Sequence, residues 1–282
     1  MVDLIGILEN KTKMFSLLVF SKDRAAQLDL LLNSIARNTH SIGTVSVLWK
    51  ASTPEFETAY KILQEERPDV IWIKEFDFKR NVYYMLEWAS EYFAFATDDD
   101  ILYREFNVDG DELEHLFNSH NIACLSMRLG WNCTVQYNYS GEKSVFPRSV
   151  IRSGQFYIWD HRYVGRGNFA YKWSVDGHIM SKTSFIPVLN TIEFVGPNEM
   201  EGKLSMKMSM GPPNMSCVEH SVIVNTPTNR VQNAAANRAG EVYGKTADEL
   251  NKLFLQGKRI VYDKIDFSGI CGCHQELLLT LE

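Results

Sequence analysis

Asp98-Asp99-Asp100 follows directly on the apolar run from Tyr92 to Thr97. Three adjacent carboxylates beside an apolar strand repel one another unless a cation or a set of hydrogen-bond donors compensates them. Mg²⁺ or Mn²⁺ would do so, because these ions take oxygen ligands, bind one or two carboxylates and leave their other positions to water and substrate phosphates. The Asp-x-Asp spacing of Asp98 and Asp100 suits such a site. Asp at a strand exit equally suits a capped turn, and the residues alone leave both readings open.

The elements around the triplet argue for a ligand-binding edge. Met14 to Phe20 reads as a buried strand, and after the polar loop Ser21-Lys22-Asp23-Arg24 the apolar residues Leu28, Leu31, Leu32 and Ile35 recur at helical spacing to about Arg37. Thr44 to Trp49 is the second strand. Ser52-Thr53-Pro54-Glu55 opens a helix that Pro68 closes. Val70 to Lys74 is the third strand, Asn81 to Glu91 a helix, and Tyr92 to Thr97 the fourth strand. This alternation predicts an α/β fold with a mainly parallel, Rossmann-like sheet and flanking helices, in which ligands gather at the carboxyl ends of the strands. Beyond residue 130 the aromatic, Gly-containing and Met-rich stretches predict a mixed, loop-rich half of antiparallel pieces. A last helix is expected over Thr246 to Gln256, with Thr246 and Glu249 as a capping box and Gly257 just past its end.

The stretch Leu17-Leu18-Val19-Phe20-Ser21-Lys22-Asp23-Arg24 with Gln27, Leu28, Leu31 and Ser34, then Arg80-Asn81, then Tyr92 to Asp100, resembles the GT-A-type glycosyltransferase superfamily over about the first 130 residues. The resemblance implies a donor half over 12–130 that binds a nucleoside-diphosphate sugar, and an acceptor-binding and C-terminal half over 131–282; with no internal repeat and no low-complexity linker between them, the two are expected to form one compact body. It implies nucleotide contacts from Phe20, Asp23, Arg24, Arg80 and Asp98, with Asp98 towards the ribose and Asp100 towards a diphosphate-bridging Mn²⁺ or Mg²⁺. Arg24 and Arg80 are each as well explained as solvent-exposed cations flanking a helix.

In the second half, Trp173-Ser174-Val175-Asp176-Gly177-His178 resembles the acceptor-side segment of such enzymes, which makes Asp176 the candidate base for an acceptor hydroxyl. An Asp-Gly turn explains the same dipeptide. His220 matches a late third metal ligand of some members, with Glu219 as the nearby alternative; a lone His is equally a structural residue. Trp159 and Trp173 are the candidate acceptor-binding rings of an aromatic stretch that otherwise reads as core. Cys271-Gly272-Cys273-His274 lacks a second ligand pair for a structural zinc.

Composition closes off other classes. A net charge of -6, from 29 Lys+Arg against 35 Asp+Glu, disfavours a nucleic-acid partner, which needs clustered cations. Five scattered cysteines point to reduced thiols and a cytoplasmic protein, and neither a signal peptide nor a transmembrane segment is visible. The sequons at Asn10, Asn132, Asn138 and Asn214 carry no weight without a secretory route. The leading expectation is a metal-dependent glycosyltransferase. The alternatives are a nucleotidyltransferase acting on sugar phosphates, whose Gly-rich loop is missing from Ser21–Arg24, and a non-catalytic sugar- or nucleotide-binding protein.

Overall fold

The computed structural model describes residues 14–136, 141–231, 240 and 243–282. The sequons at Asn10 and Asn138, and residues 12 and 13 of the expected donor half, lie outside the described residues. The chain runs β1 (Phe15–Lys22), α1 (Ala25–Asn38), β2 (Ile42–Lys50), α2 (Pro54–Glu66), β3 (Ile71–Lys74), α3 (Phe78–Trp88) and β4 (Tyr92–Thr97). These four strands lie in the order β3-β2-β1-β4 and are all parallel, which is what strand–helix–strand units with right-handed crossovers produce. β1 is buried on both faces along Phe15–Ser21, as its continuous apolar run requires.

Local signals set most of these boundaries. Thr53 caps α2, with Pro54 in its first turn. α3 starts three residues earlier than the apolar spacing suggests because Asp77 accepts from the Arg80 amide at 2.9 Å, and it ends at Trp88 because Ala89 turns extended into β4.

The chain continues with β5 (Asp100–Leu102), α4 (Gly110–His120), β6 (Ile122–Ser126), β7 (Val135–Gln136), β8 (Glu142–Lys143), β9 (Ile151–Ser153), β10 (Phe156–Asp160) and β11 (His178–Ser181). After these come α5 (Lys182–Leu189), α6 (Pro197–Ser205), β12 (Asn214–Cys217), β13 (Ile223–Asn225) and α7 (Ala247–Leu255). One nine-stranded sheet, β3-β2-β1-β4-β11-β6-β12-β10-β9, crosses the whole width. β11 is antiparallel to both β4 and β6, and β12 is parallel to β6, so the far half is mixed, as expected. α7 carries the anticipated reciprocal capping box of Thr246 and Glu249, and Gly257 follows with a left-handed φ of 86°.

Trp159 and Trp173 do not line a sugar-binding wall. They are 2% and 0% exposed, Trp159 donates its Nε1 to Phe169 O at 2.7 Å, and Trp173 stacks edge-on against Phe185. Neither ring keeps an open face, because the mixed half of the sheet uses both to fill the layer beneath α5 and α6. The two described sequon amides are also engaged internally: Asn132 Nδ2 donates to Ser221 Oγ at 2.9 Å and Asn214 Nδ2 to His120 O at 2.7 Å. Among the described residues, no helix is long and apolar enough to cross a membrane.

Candidate functional site

The acidic triplet stands where β4 ends. The Asp98 amide donates to Phe20 O of β1 at 3.1 Å, which carries the chain across the carboxyl edge of the parallel strands. Asp100 then opens β5, whose only described ladder is with β13, so that Asn225 lies directly opposite Asp100. Asn225 Nδ2 reaches Asp99 Oδ1 at 2.9 Å and Asp100 Oδ1 at 3.1 Å, while the Thr97 amide donates to Asp100 Oδ2 at 2.9 Å. All three carboxylates are buried.

Asp176 comes to the same place from the far half. Gly177 N donates to Phe95 O at 2.7 Å and Met127 N to Gly177 O at 2.9 Å, which pins the Asp176-Gly177 turn between β4 and β6. Gly177 has a φ of 64°, and a Cβ there would come within 3.0 Å of Ile223 Cδ1, so the turn admits only glycine without strain. The Asp-Gly pair is therefore a turn, and that turn delivers Asp176 Oδ1 to within 3.3 Å of Thr97 Oγ1.

Two buried guanidinium groups face these carboxylates. Arg24 Nη1 donates to Asp98 Oδ1 and Asp99 Oδ2, each at 2.9 Å, and its Nε donates to Asn229 Oδ1 at 2.8 Å. Arg128 Nη1 pairs with Asp176 Oδ2 at 3.2 Å. Burial opposes charge on both arginines, but Asp99 and Asp98 outweigh it at Arg24, and Cys273 and Asp176 at Arg128, so both stay above the usual range. His274 completes the ring, with Nε2 3.8 Å from Asp176 Oδ2 and Nδ1 3.3 Å from Asn225 Oδ1. Burial lowers its pKa and so favours the neutral imidazole; with Nδ1 donating to Asn225 Oδ1, only Nε2, which faces Arg128 Nη1 at 3.4 Å, keeps a lone pair.

The charges do not balance. Among the described contacts, Asp98, Asp99, Asp100 and Asp176 face Arg24 and Arg128, four carboxylates against two guanidinium groups. The strain falls on Asp100: burial, then Asp176 and Asp99, push its carboxyl well above the usual carboxylate range. Asp98 is pushed up by burial to about 6, against the pull of Arg24. Among the described residues no group of three or more His, Cys, Asp or Glu side chains forms a ready-made metal cage. The donor set nevertheless fits Mn²⁺ or Mg²⁺, which need only one or two carboxylates when phosphate oxygens and water supply the rest. A divalent ion at Asp100 would favour its ionised form and offset the like-charge repulsion within the cluster.

The expected nucleotide contacts divide. Asp98 and Arg24 meet in the cluster, and Asp98 also accepts from Ser21 Oγ at 2.9 Å and the Lys22 amide at 3.0 Å. Asp23 lies next to them in the loop, with a left-handed φ of 57° held by Ser52, whose amide and hydroxyl donate to its carboxylate at 2.6 and 2.7 Å. The Phe20 ring is in the core, stacked on Phe95 and tilted against Phe78; only its carbonyl belongs to the site. Arg80 is exposed on α3, its guanidinium 5.7 Å over the Phe76 ring, with no described contact to the cluster.

His220 is likewise displaced. It is exposed on the β12–β13 connection, where its backbone packs so closely on Gly130 that a Cβ there would lie 2.7 Å from His220 Cα. Among the described contacts it makes none with the carboxylates, and neither does Glu219. The histidine that reaches them is His274, from the segment set aside as a failed zinc knuckle. Arg128 and Asn225 were also missed. An arginine between Met127 and Leu129 at the end of a buried strand is a signal in itself, since a charge so placed needs a partner.

No family model matches the chain. The bifunctional glycosyltransferase pgtA of Dictyostelium discoideum is 31% identical over 102 residues, covering 33% of this chain and 13% of that protein. What this chain is similar to in sequence is a glycosyltransferase. It spans about an eighth of that relative's length. Among solved structures, S. aureus TarS 1-349 in complex with UDP matches 72% of this chain and 58% of its own at 12% identity and a TM-score of 0.46. The mannosyltransferase PcManGT from Pyrobaculum calidifontis, in complex with GDP-Man and Mn2+, matches 47% and 44% at 14% identity and a TM-score of 0.30.

Proposed function

We propose that the chain transfers a sugar from a nucleoside-diphosphate sugar to an acceptor hydroxyl, using Mn²⁺ or Mg²⁺ held at Asp100. The buried carboxylates of Asp98, Asp99, Asp100 and Asp176, met by two guanidinium groups among the described contacts, carry this reading, because ionising Asp100 in that setting calls for a cation. When bound, the ion would neutralise charge developing on the departing diphosphate.

The chain's own residues take the remaining roles. Asp100, with neutral His274 in the place first given to His220, holds the ion. Asp98 fixes the loop Ser21–Arg24 against β4 and so shapes the nucleotide cleft, and Arg24 holds Asp98 and Asp99 in place through its Nη1 donor. Asp176, oriented by Arg128 and the Thr97 hydroxyl, takes the proton from the acceptor hydroxyl in an inverting reaction.

A panel of nucleoside diphosphates with and without Mn²⁺ tests this by thermal stabilisation. Stabilisation by one nucleotide only with metal present, lost in Asp100→Ala, supports the assignment. Equal stabilisation without metal, or stabilisation by free sugar alone, rejects it in favour of a non-catalytic binding protein.

A further inference from the structure

Cys133 lies between β6 and β7, and Cys273 lies far along the chain in the C-terminal segment, yet both thiols donate to the same carbonyl, Arg128 O, each at 3.4 Å. Each residue is 1% exposed. The backbone around both is tied down: Cys133 N donates to Gly130 O at 3.0 Å, Val135 N to Cys271 O at 3.1 Å, and Asn225 N to Cys273 O at 2.9 Å. A disulfide requires two Cβ atoms about 3.8 Å apart with sulfurs turned towards each other. Two sulfurs held against one carbonyl oxygen share the neighbourhood in which such a bond forms. The C-terminal segment meets β13 at the isolated bridge Asn225–His274, flanked by single backbone bonds rather than a full ladder, and transient opening of such a segment admits a small oxidant.

We propose that Cys133 and Cys273 are a redox modification site, a thiol pair that closes reversibly into a disulfide on meeting a low-molecular-weight disulfide. One protein thiolate attacks the oxidant's S–S bond, forming a mixed disulfide and expelling one thiolate. The second protein thiol gives its proton to water and attacks the mixed disulfide, forming the Cys133–Cys273 bond and expelling the second thiolate, which is protonated. Two protein thiols are oxidised and one disulfide is reduced to two thiols. The new bond fastens the segment bearing His274 to the strand end bearing Arg128, and so fixes two walls of the carboxylate cluster. The bond itself does not depend on the cluster's proposed activity.

The full chain, reduced, desalted and incubated with oxidised glutathione, is unfolded and alkylated for intact-mass and peptide analysis. All five thiols alkylate in the reduced protein. After oxidation, three should alkylate, a Cys133–Cys273 cross-linked peptide should appear, and dithiothreitol should restore the original pattern. The thermal midpoint should rise by several degrees on oxidation. Cys133→Ser and Cys273→Ser should each abolish protection, while Cys271→Ser keeps it. Alkylation of all five thiols after oxidation, a stable glutathione adduct at either position, or a bridge from Cys133 to Cys217 would overturn the proposal. Because the wild-type peptide map decides alone, a variant that fails to fold changes nothing.

Discussion

Asp100 and Asp176, drawn from distant parts of the chain, share one hydroxyl: Thr97 Oγ1 lies 3.4 Å from Asp100 Oδ2 and 3.3 Å from Asp176 Oδ1. A hydroxyl has one proton to give, so it satisfies one carboxylate at a time. The other relies on its remaining donors, Arg128 Nη1 for Asp176 and the Thr97 amide with Asn225 Nδ2 for Asp100, and of the two only Asp176 has a cation beside it among the described contacts.

Asp100→Asn removes the least compensated charge while preserving shape. In metal-free buffer its thermal midpoint should match or exceed that of the unaltered chain by a few degrees. Metal-dependent stabilisation by nucleotide should disappear. Calorimetry with and without Mn²⁺ checks both, and retained metal dependence would sink the ligand assignment.

Asp176→Asn should lower kcat by at least about 100-fold if the carboxylate accepts the acceptor's proton, with metal-dependent nucleotide binding nearly unchanged. Transfer rate and nucleotide affinity are measured side by side. Transfer at the unaltered rate would reject the base role.

Arg24→Met strands Asp98 and Asp99 in a buried setting, and loss of one partner of such a pair costs about 3–5 kcal/mol. Adding Asp98→Asn to that variant should recover a large part of the loss. Urea unfolding of the two single variants and the double closes the cycle. Strict additivity would show that Arg24 does not act through Asp98.

Glu201 accepts from Ser174 Oγ at 2.8 Å and the Val175 amide at 3.2 Å, and burial, followed by Asp176, pushes its carboxyl up to about 7 from 4.5. The folded chain therefore holds a proton there that the unfolded chain gives up. Its contribution is complete below about pH 4.5 and is lost as pH rises through 7. Relative to Glu201→Gln, the unaltered chain should lose stability over that window. Parallel stability curves for the two proteins would contradict this.

Trp173→Leu should destabilise the chain by about 2–4 kcal/mol through the space left beside Phe185, and should leave the acceptor KM of the remaining folded enzyme unchanged. Steady-state kinetics below the unfolding temperature tests it. A selective rise in acceptor KM would return Trp173 to the binding surface.

The sequence by itself determined the parallel half and the acidic edge. Leu28, Leu31, Leu32 and Ile35 on one helix face, the Pro54 and Thr246 helix starts and the run Tyr92–Thr97 into three aspartates are signals within a few turns of chain, set by local sterics and hydrogen bonding. Tertiary structure alone decided the partners. Arg128, Asn225 and His274 reach the aspartates because β6, β13 and the C-terminal segment return to β4 and β5 from distant parts of the chain, and no local period encodes such pairings. The same packing buried Trp159 and Trp173 and left His220 outside. Whether an aromatic or an imidazole faces a ligand depends on which surface covers it, and that surface exists only once the sheet is assembled.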